Sequence, residues 1–144
     1  MVVLEDTSPN GNIQAVVEQD ERVAYFTLYP NEETGEPVKS CTVLTPMAGG
    51  HEVRTVEDLE RGSELDPVQQ GFMECHGLQC GFCTPGMLLT ARALLDAEPD
   101  PDDHRIREAI SGQICRCTGY TSIVRSVRWA AEHEARARQE VETR

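Results

Sequence analysis

The sequence predicts an α+β protein: a β-rich portion within residues 1–50, a helical, four-helix-bundle-like domain over 51–134, and a charged tail over 135–144. Three observations predict it. Aromatic and β-branched residues concentrate in Val23-Ala24-Tyr25-Phe26-Thr27-Leu28-Tyr29. From Thr55 onward apolar residues recur at helical spacing between capping residues. Four cysteines, Cys80, Cys83, Cys115 and Cys117, fall in two close pairs within the helical portion.

In chain order, residues 1–20 carry no strong period and include the turn-prone Ser8-Pro9-Asn10-Gly11, so they read as a loosely anchored lead-in with at most a short strand. Val23–Tyr29 and Pro37–Leu44, separated by Pro30-Asn31-Glu32-Glu33-Thr34-Gly35, read as a β-hairpin, with a third short strand around Glu52-Val53-Arg54. Thr55–Gly62 has a capping residue, early acids and a terminal glycine, the pattern of a short helix. Asp66-Pro67 starts a second helix that ends near Gly77.

The third helix follows Thr84, read as its N-cap with Pro85 at the first turn, and buries Met87, Leu88, Ala91, Leu94 and Leu95. Two prolines within Glu98–Asp103 make a turn; the acids there are read as turn and surface residues rather than as a metal site. His104–Ser111 forms the fourth helix with Ile106 and Ile110 inward. The last and longest follows Tyr120, burying Ile123, Val127, Ala130 and Ala131 and fraying beyond Glu132, where apolar residues become scarce.

Charge bounds the partners. The formal net charge is −12, and residues 1–72 hold 14 acids against 4 bases whereas 73–144 hold 11 against 9. Nucleic acid needs a basic face, so it is excluded as a partner. No apolar stretch is long enough to span a bilayer, and Met1–Thr7 lacks the basic start and apolar core of a secretory signal. Reduced cysteines fit a reducing compartment, so the chain reads as cytosolic.

The paired cysteines carry the chemistry. Gln79-Cys80-Gly81-Phe82-Cys83-Thr84-Pro85-Gly86 holds a C-x-x-C, and Cys115-Arg116-Cys117-Thr118-Gly119-Tyr120 holds a C-x-C. Thiolates bind metals, so four of them need compensating positive charge. Both pairs precede helix starts, whose free N–H groups and positive dipole ends suit an anionic site. Zinc, a disulfide framework and a [2Fe-2S] cluster compete. C-x-C is unusual for zinc and nothing points to secretion, so the cluster is favoured.

These two segments closely resemble the helical iron–sulfur domain of molybdenum hydroxylases, the xanthine oxidase and aerobic carbon monoxide dehydrogenase group, and His76-Gly77-Leu78-Gln79-Cys80 looks most like their separate small subunits. The resemblance runs from about Val23 to Ala131. It implies an electron-transfer subunit in which Cys80, Cys83, Cys115 and Cys117 hold one [2Fe-2S] cluster, with Gln79 and Cys117 facing the molybdopterin of a large partner subunit and FAD on a medium one. It also implies that the hairpin is the last part of a ferredoxin-like domain holding a second cluster. Cys41 falls at that cluster's fourth ligand, but no cysteine precedes it, so the half is read as truncated or degenerate and the second cluster as absent. The alternative is a structural or assembly module, binding iron–sulfur or zinc without conducting electrons.

The remaining residues have ordinary readings. Cys75 reads as a small buried hydrophobe rather than a fifth ligand. His76 is balanced between the cluster's surroundings and a capping or solvent-facing role. Trp129 reads as core or docking surface, while His51, His104 and His133 show no ligand spacing.

Overall fold

The computed structural model describes residues 3–5, 14–16, 25–30, 36–39, 42–44, 51–60, 62 and 64–142. Strands β1 (Val3–Glu5) and β2 (Gln14–Val16) pair antiparallel. Strands β3 (Tyr25–Pro30), β4 (Glu36–Lys39) and β5 (His51–Thr55) form a separate antiparallel sheet in the order β4-β3-β5. Phe26 stands opposite Val38 on one side and Thr55 on the other. Pro37 cannot donate to a ladder, which suits its place on the edge strand β4.

The first predicted helix is corrected. Val56–Leu59 is a single 3-10 turn, and Thr55 makes no side-chain capping bond to it. The reason is that Thr55 is still the last residue of β5, so its backbone belongs to the sheet. Helix α1 (Pro67–Glu74) starts as predicted. The Asp66 carboxylate accepts from the Val68 N–H at 2.8 Å, and Gln69 Oε1 accepts from the Asp66 N–H at 2.9 Å, a reciprocal cap.

Helix α2 (Thr84–Ala97) begins one residue earlier than predicted: Cys83 is the N-cap and Thr84 is already helical. Helix α3 (Asp103–Ile110) is capped by Asp102, whose carboxylate accepts from the Arg105 N–H at 2.7 Å. The neighbouring acids are also engaged, Glu98 with Arg105 at 3.0 Å and Asp103 with Arg128 at 2.7 Å. Helix α4 runs from Thr121 to Glu142 without fraying after Glu132. Three contacts that the composition hides extend it: Glu134 with Arg92 of α2, His133 stacked on Trp129, and Glu132 with Arg136.

The core lies among the four helices. Val68, Phe72, Met87, Leu95, Ile106, Ile110, Ile123 and Val127 are all sealed from solvent. Every residue assigned inward by periodicity on α2, α3 and α4 is buried. Helix α1 approaches α4 closely because Gly71 has no side chain: a Cβ there would lie 2.4 Å from the Ser126 carbonyl oxygen. The sheet lies against α2, which brings Lys39 of β4 to the end of the helical domain that carries the cysteines.

Candidate metal centre

Two loops build the site. The first joins α1 to α2 and carries Gln79 to Cys83; the second joins α3 to α4 and carries Gly112 to Tyr120. The first loop is anchored where α1 ends. His76 adopts a left-handed backbone, φ 55°, and the Gly77 N–H donates to the Phe72 carbonyl at 2.8 Å, closing the helix. A Cβ on Gly77 would lie 2.4 Å from Ser126 Oγ, so the glycine lets this turn press against α4.

The second loop is fastened by Tyr120. Its hydroxyl accepts from the Cys115 N–H at 2.9 Å and donates to the Gln113 carbonyl at 3.3 Å. Gln113 is itself held by Nε2 donating to Thr90 Oγ1 of α2 at 3.2 Å. Tyr120 sits at φ 68°, directly after Gly119 at φ 65°. A left-handed aromatic residue costs about 1–2 kcal/mol, and the hydrogen bonds at its two ends hold it there.

The loops bring four thiols together in crossed pairs. Cys80 Sγ and Cys117 Sγ are 3.5 Å apart, and Cys83 and Cys115 form the second sulfur–sulfur hydrogen bond. All are free thiols. They line one pocket of about 350 Å³ whose rim includes Lys39, Phe82, Ile114 and Arg116. Cys80 and Cys117 are exposed, Cys83 is half-buried and Cys115 is buried, so the site runs from the surface inward.

Each pair holds one sulfur toward the thiolate. The Phe82 N–H, with the Cys117 thiol, pulls Cys80 below the ordinary thiol range, while Cys117 is raised by its bond to Cys80. In the inner pair burial and the bond to Cys115 push Cys83 up to about 11. Burial also acts to raise Cys115, but the Thr118 hydroxyl and the N–H groups of Thr118 and Cys117 outweigh it and bring it down to about 7. The N–H groups that reach sulfur come from the loops, at Cys80, Phe82, Cys117 and Thr118, and from Cys83 at the cap of α2. Concave loop amides of this kind are anion-binding in their own right.

The donor set fits a [2Fe-2S] cluster. Such a cluster takes four thiolates, two at each iron, and two crossed pairs meet that demand. Among the described residues no three His, Cys, Asp or Glu side chains converge on one ion. Next to Cys83, the Thr84 hydroxyl oxygen is buried without a hydrogen-bond partner.

The other candidate residues lie as follows. Gln79 is exposed and directly precedes Cys80, without lining the pocket. Cys75 terminates α1, half-buried and not among the pocket-lining thiols. His76 is exposed. Trp129 is partly buried against the core and stacks on His133 with ring centres 4.8 Å apart. His51 lies in β5 and His104 in α3, and neither lines the pocket that holds the thiols. Cys41 lies outside the described residues.

Sequence reasoning missed Thr118, Tyr120 and Lys39. For Tyr120 the signal was a glycine followed by an aromatic between a ligand pair and a helix, a place that demands left-handed backbone. Lys39 left none, since its approach depends on how the sheet docks.

Comparison with known proteins matches residues 55–128 to the [2Fe-2S] binding domain family, and the chain belongs to that family. The β subunit of the 6-hydroxypseudooxynicotine dehydrogenase complex of Paenarthrobacter nicotinovorans is 53% identical over 62% of this chain and 57% of its own length. The nicotinate dehydrogenase small FeS subunit of Eubacterium barkeri is 47% identical over 68% of this chain and 62% of its own. This chain thus spans under two thirds of those relatives. Among solved structures, quinoline 2-oxidoreductase of Pseudomonas putida 86 superposes with a TM-score of 0.67 at 42% identity, covering 76% of this chain and 67% of that one. Aldehyde oxidoreductase of Desulfovibrio gigas gives 0.70 at 30% identity, over 78% and 12% of the two chains.

Proposed function

We propose that the chain is the electron-transfer iron–sulfur subunit of a molybdenum hydroxylase, working in the cytosol. The observation that carries this is the crossed pairing of Cys80 with Cys117 and Cys83 with Cys115 in one pocket of a [2Fe-2S] binding domain. These four cysteines are the ligands. A bound [2Fe-2S] cluster accepts and releases one electron at a time. The chain makes and breaks no substrate bonds; it holds the four sulfurs, supplies the amides that face them and excludes water from the inner pair.

The outer side of the site faces the electron donor. Gln79, Cys80 and Cys117 are all exposed there, in keeping with a molybdopterin held by a large partner subunit against that face. Phe82 and Ile114 on the same rim are 79% and 81% exposed, apolar surface that a partner would cover. A medium FAD-binding subunit receives the electrons. Strands β3 to β5 belong to a ferredoxin-like portion, in which Cys41 stands at the fourth ligand position of a second cluster. The division proposed is residues 1–50, 51–134 and 135–144, with β5 of the second part completing the sheet of the first and the last segment continuing α4.

Purification of the tagged full chain from its own cells tests the proposal. Expected is co-purification of a molybdopterin-bearing large subunit and an FAD-bearing subunit, with the cluster reduced when substrate is added. A chain that purifies alone with one zinc bound, or a cluster that substrate never reduces, overturns it in favour of a structural module.

A further inference from the structure

We infer that Thr118 is a positioning residue that sets the reduction potential of the group held by Cys115: its hydroxyl donates a hydrogen bond to the Cys115 sulfur. The inference rests on the ligand assignment of the preceding section and adds a residue that lies outside it.

The contact is short, and loss of the sulfur's proton on binding metal settles its direction. Thr118 Oγ1 lies 3.1 Å from Cys115 Sγ. The Tyr120 N–H donates to the same Oγ1 at 3.2 Å, occupying an oxygen lone pair and leaving the hydroxyl hydrogen for another acceptor. A metal-bound sulfur has no proton of its own, so in the loaded protein the hydroxyl must be the donor.

The surrounding loop is built to hold this geometry. Tyr120 spends an unfavourable left-handed backbone, φ 68°, to turn its N–H onto Thr118 Oγ1 while its hydroxyl grips the Cys115 N–H two turns of loop away. Cys115 is thereby fastened at its amide by one end of Tyr120, and at its sulfur by a threonine that the other end orients. Cys115 is also the buried ligand, where water competes least for the sulfur.

A donor to a ligand sulfur stabilises the state with more negative charge, which is the reduced one. Removing the hydroxyl should therefore lower the potential. Among the described residues the outer thiols have no equivalent hydrogen bond to a side-chain hydroxyl, so the effect belongs to the inner end of the site.

The test is redox potentiometry with electron paramagnetic resonance on the full chain, comparing the parent with Thr118→Val, Thr118→Ala and Thr118→Ser. Iron content and the reduced-state signal of the parent test the ligand assignment separately from this inference. With the parent loaded, Val and Ala are expected to keep full iron but show a lower midpoint potential, and Ser to match the parent. Val and Ala potentials equal to the parent's would overturn the inference. Should neither Val nor Ala load, Ser decides: loading with the parent's potential supports the hydroxyl contact, and failure to load shows that threonine's shape matters instead.

Discussion

The sulfur of Cys117 lies 3.5 Å from that of Cys80, thirty-seven residues earlier in the chain. No local element could bring these two together. Their meeting depends on α1 closing at Gly77, α2 starting at Cys83 and α4 starting just beyond Tyr120, so the site reports on the whole helical domain.

The cysteines should be separable by substitution. Changing Cys80, Cys83, Cys115 or Cys117 to Ser removes one of four thiolates, and bound iron should fall from about two per chain to a small residue. Cys75→Ser, at the end of α1 and outside the pocket, should keep its iron and colour. Iron analysis of the five purified variants checks this.

Arg92 holds the opposite end of the domain. Its guanidinium, 14% exposed, meets Asp96 at 2.9 Å, Asp66 at 3.5 Å and Glu134 of α4. Burial works against its charge, but these carboxylates outweigh burial and raise its pKa. Arg92→Ala would leave three acids facing one another, at a cost of about 2 kcal/mol, less than for a fully buried pair because the site is partly wet. Thermal unfolding should show a drop in Tm on the order of 5 °C, with Arg92→Lys in between.

Asp66 gives a pH signature. Burial raises its carboxyl above the ordinary 3.8, opposed by the Val68 N–H and by Arg92. An acid whose folded pKa is raised binds its proton more readily in the folded state. Its contribution is therefore fullest below 3.8 and is lost as pH rises through the folded value. Asp66→Asn keeps the cap acceptor and cannot titrate. Urea midpoints measured against pH should fall for the parent, relative to Asp66→Asn, as pH climbs from below the carboxylate range to above it. Parallel curves would contradict this.

Helix proximity is testable at glycine. Gly71→Ala would place a methyl 2.4 Å from the rigid Ser126 carbonyl, and overpacking of this kind costs about 1–3 kcal/mol. Gly112→Ala meets nothing within 4 Å and should be near neutral. Chemical denaturation of the pair distinguishes a packing effect from a general loss of glycine.

Much of this was legible in the sequence, and the division has physical causes. The inward faces of α2, α3 and α4 follow from apolar periodicity, and the start of α1 from Asp66-Pro67, because both signals are local. The 3-10 turn at Val56 was hidden because Thr55 serves a strand before it can serve a helix. The continuation of α4 past Glu132 was hidden because Glu134 meets Arg92 and Glu132 pairs with Arg136, contacts that leave no apolar trace. The four thiols were legible as a set, but not their crossed pairing, nor that amides of the loops would reach the sulfurs alongside the cap of α2.

The central claim is that four cysteines from two loops share one di-iron unit. The full chain, reconstituted with iron and sulfide and reduced by dithionite, should be red-brown, contain about two irons and two sulfides per chain, and give one rhombic paramagnetic signal. A colourless protein that instead binds one zinc, or a loaded protein that keeps its signal when both Cys83 and Cys115 are replaced by serine, would contradict it.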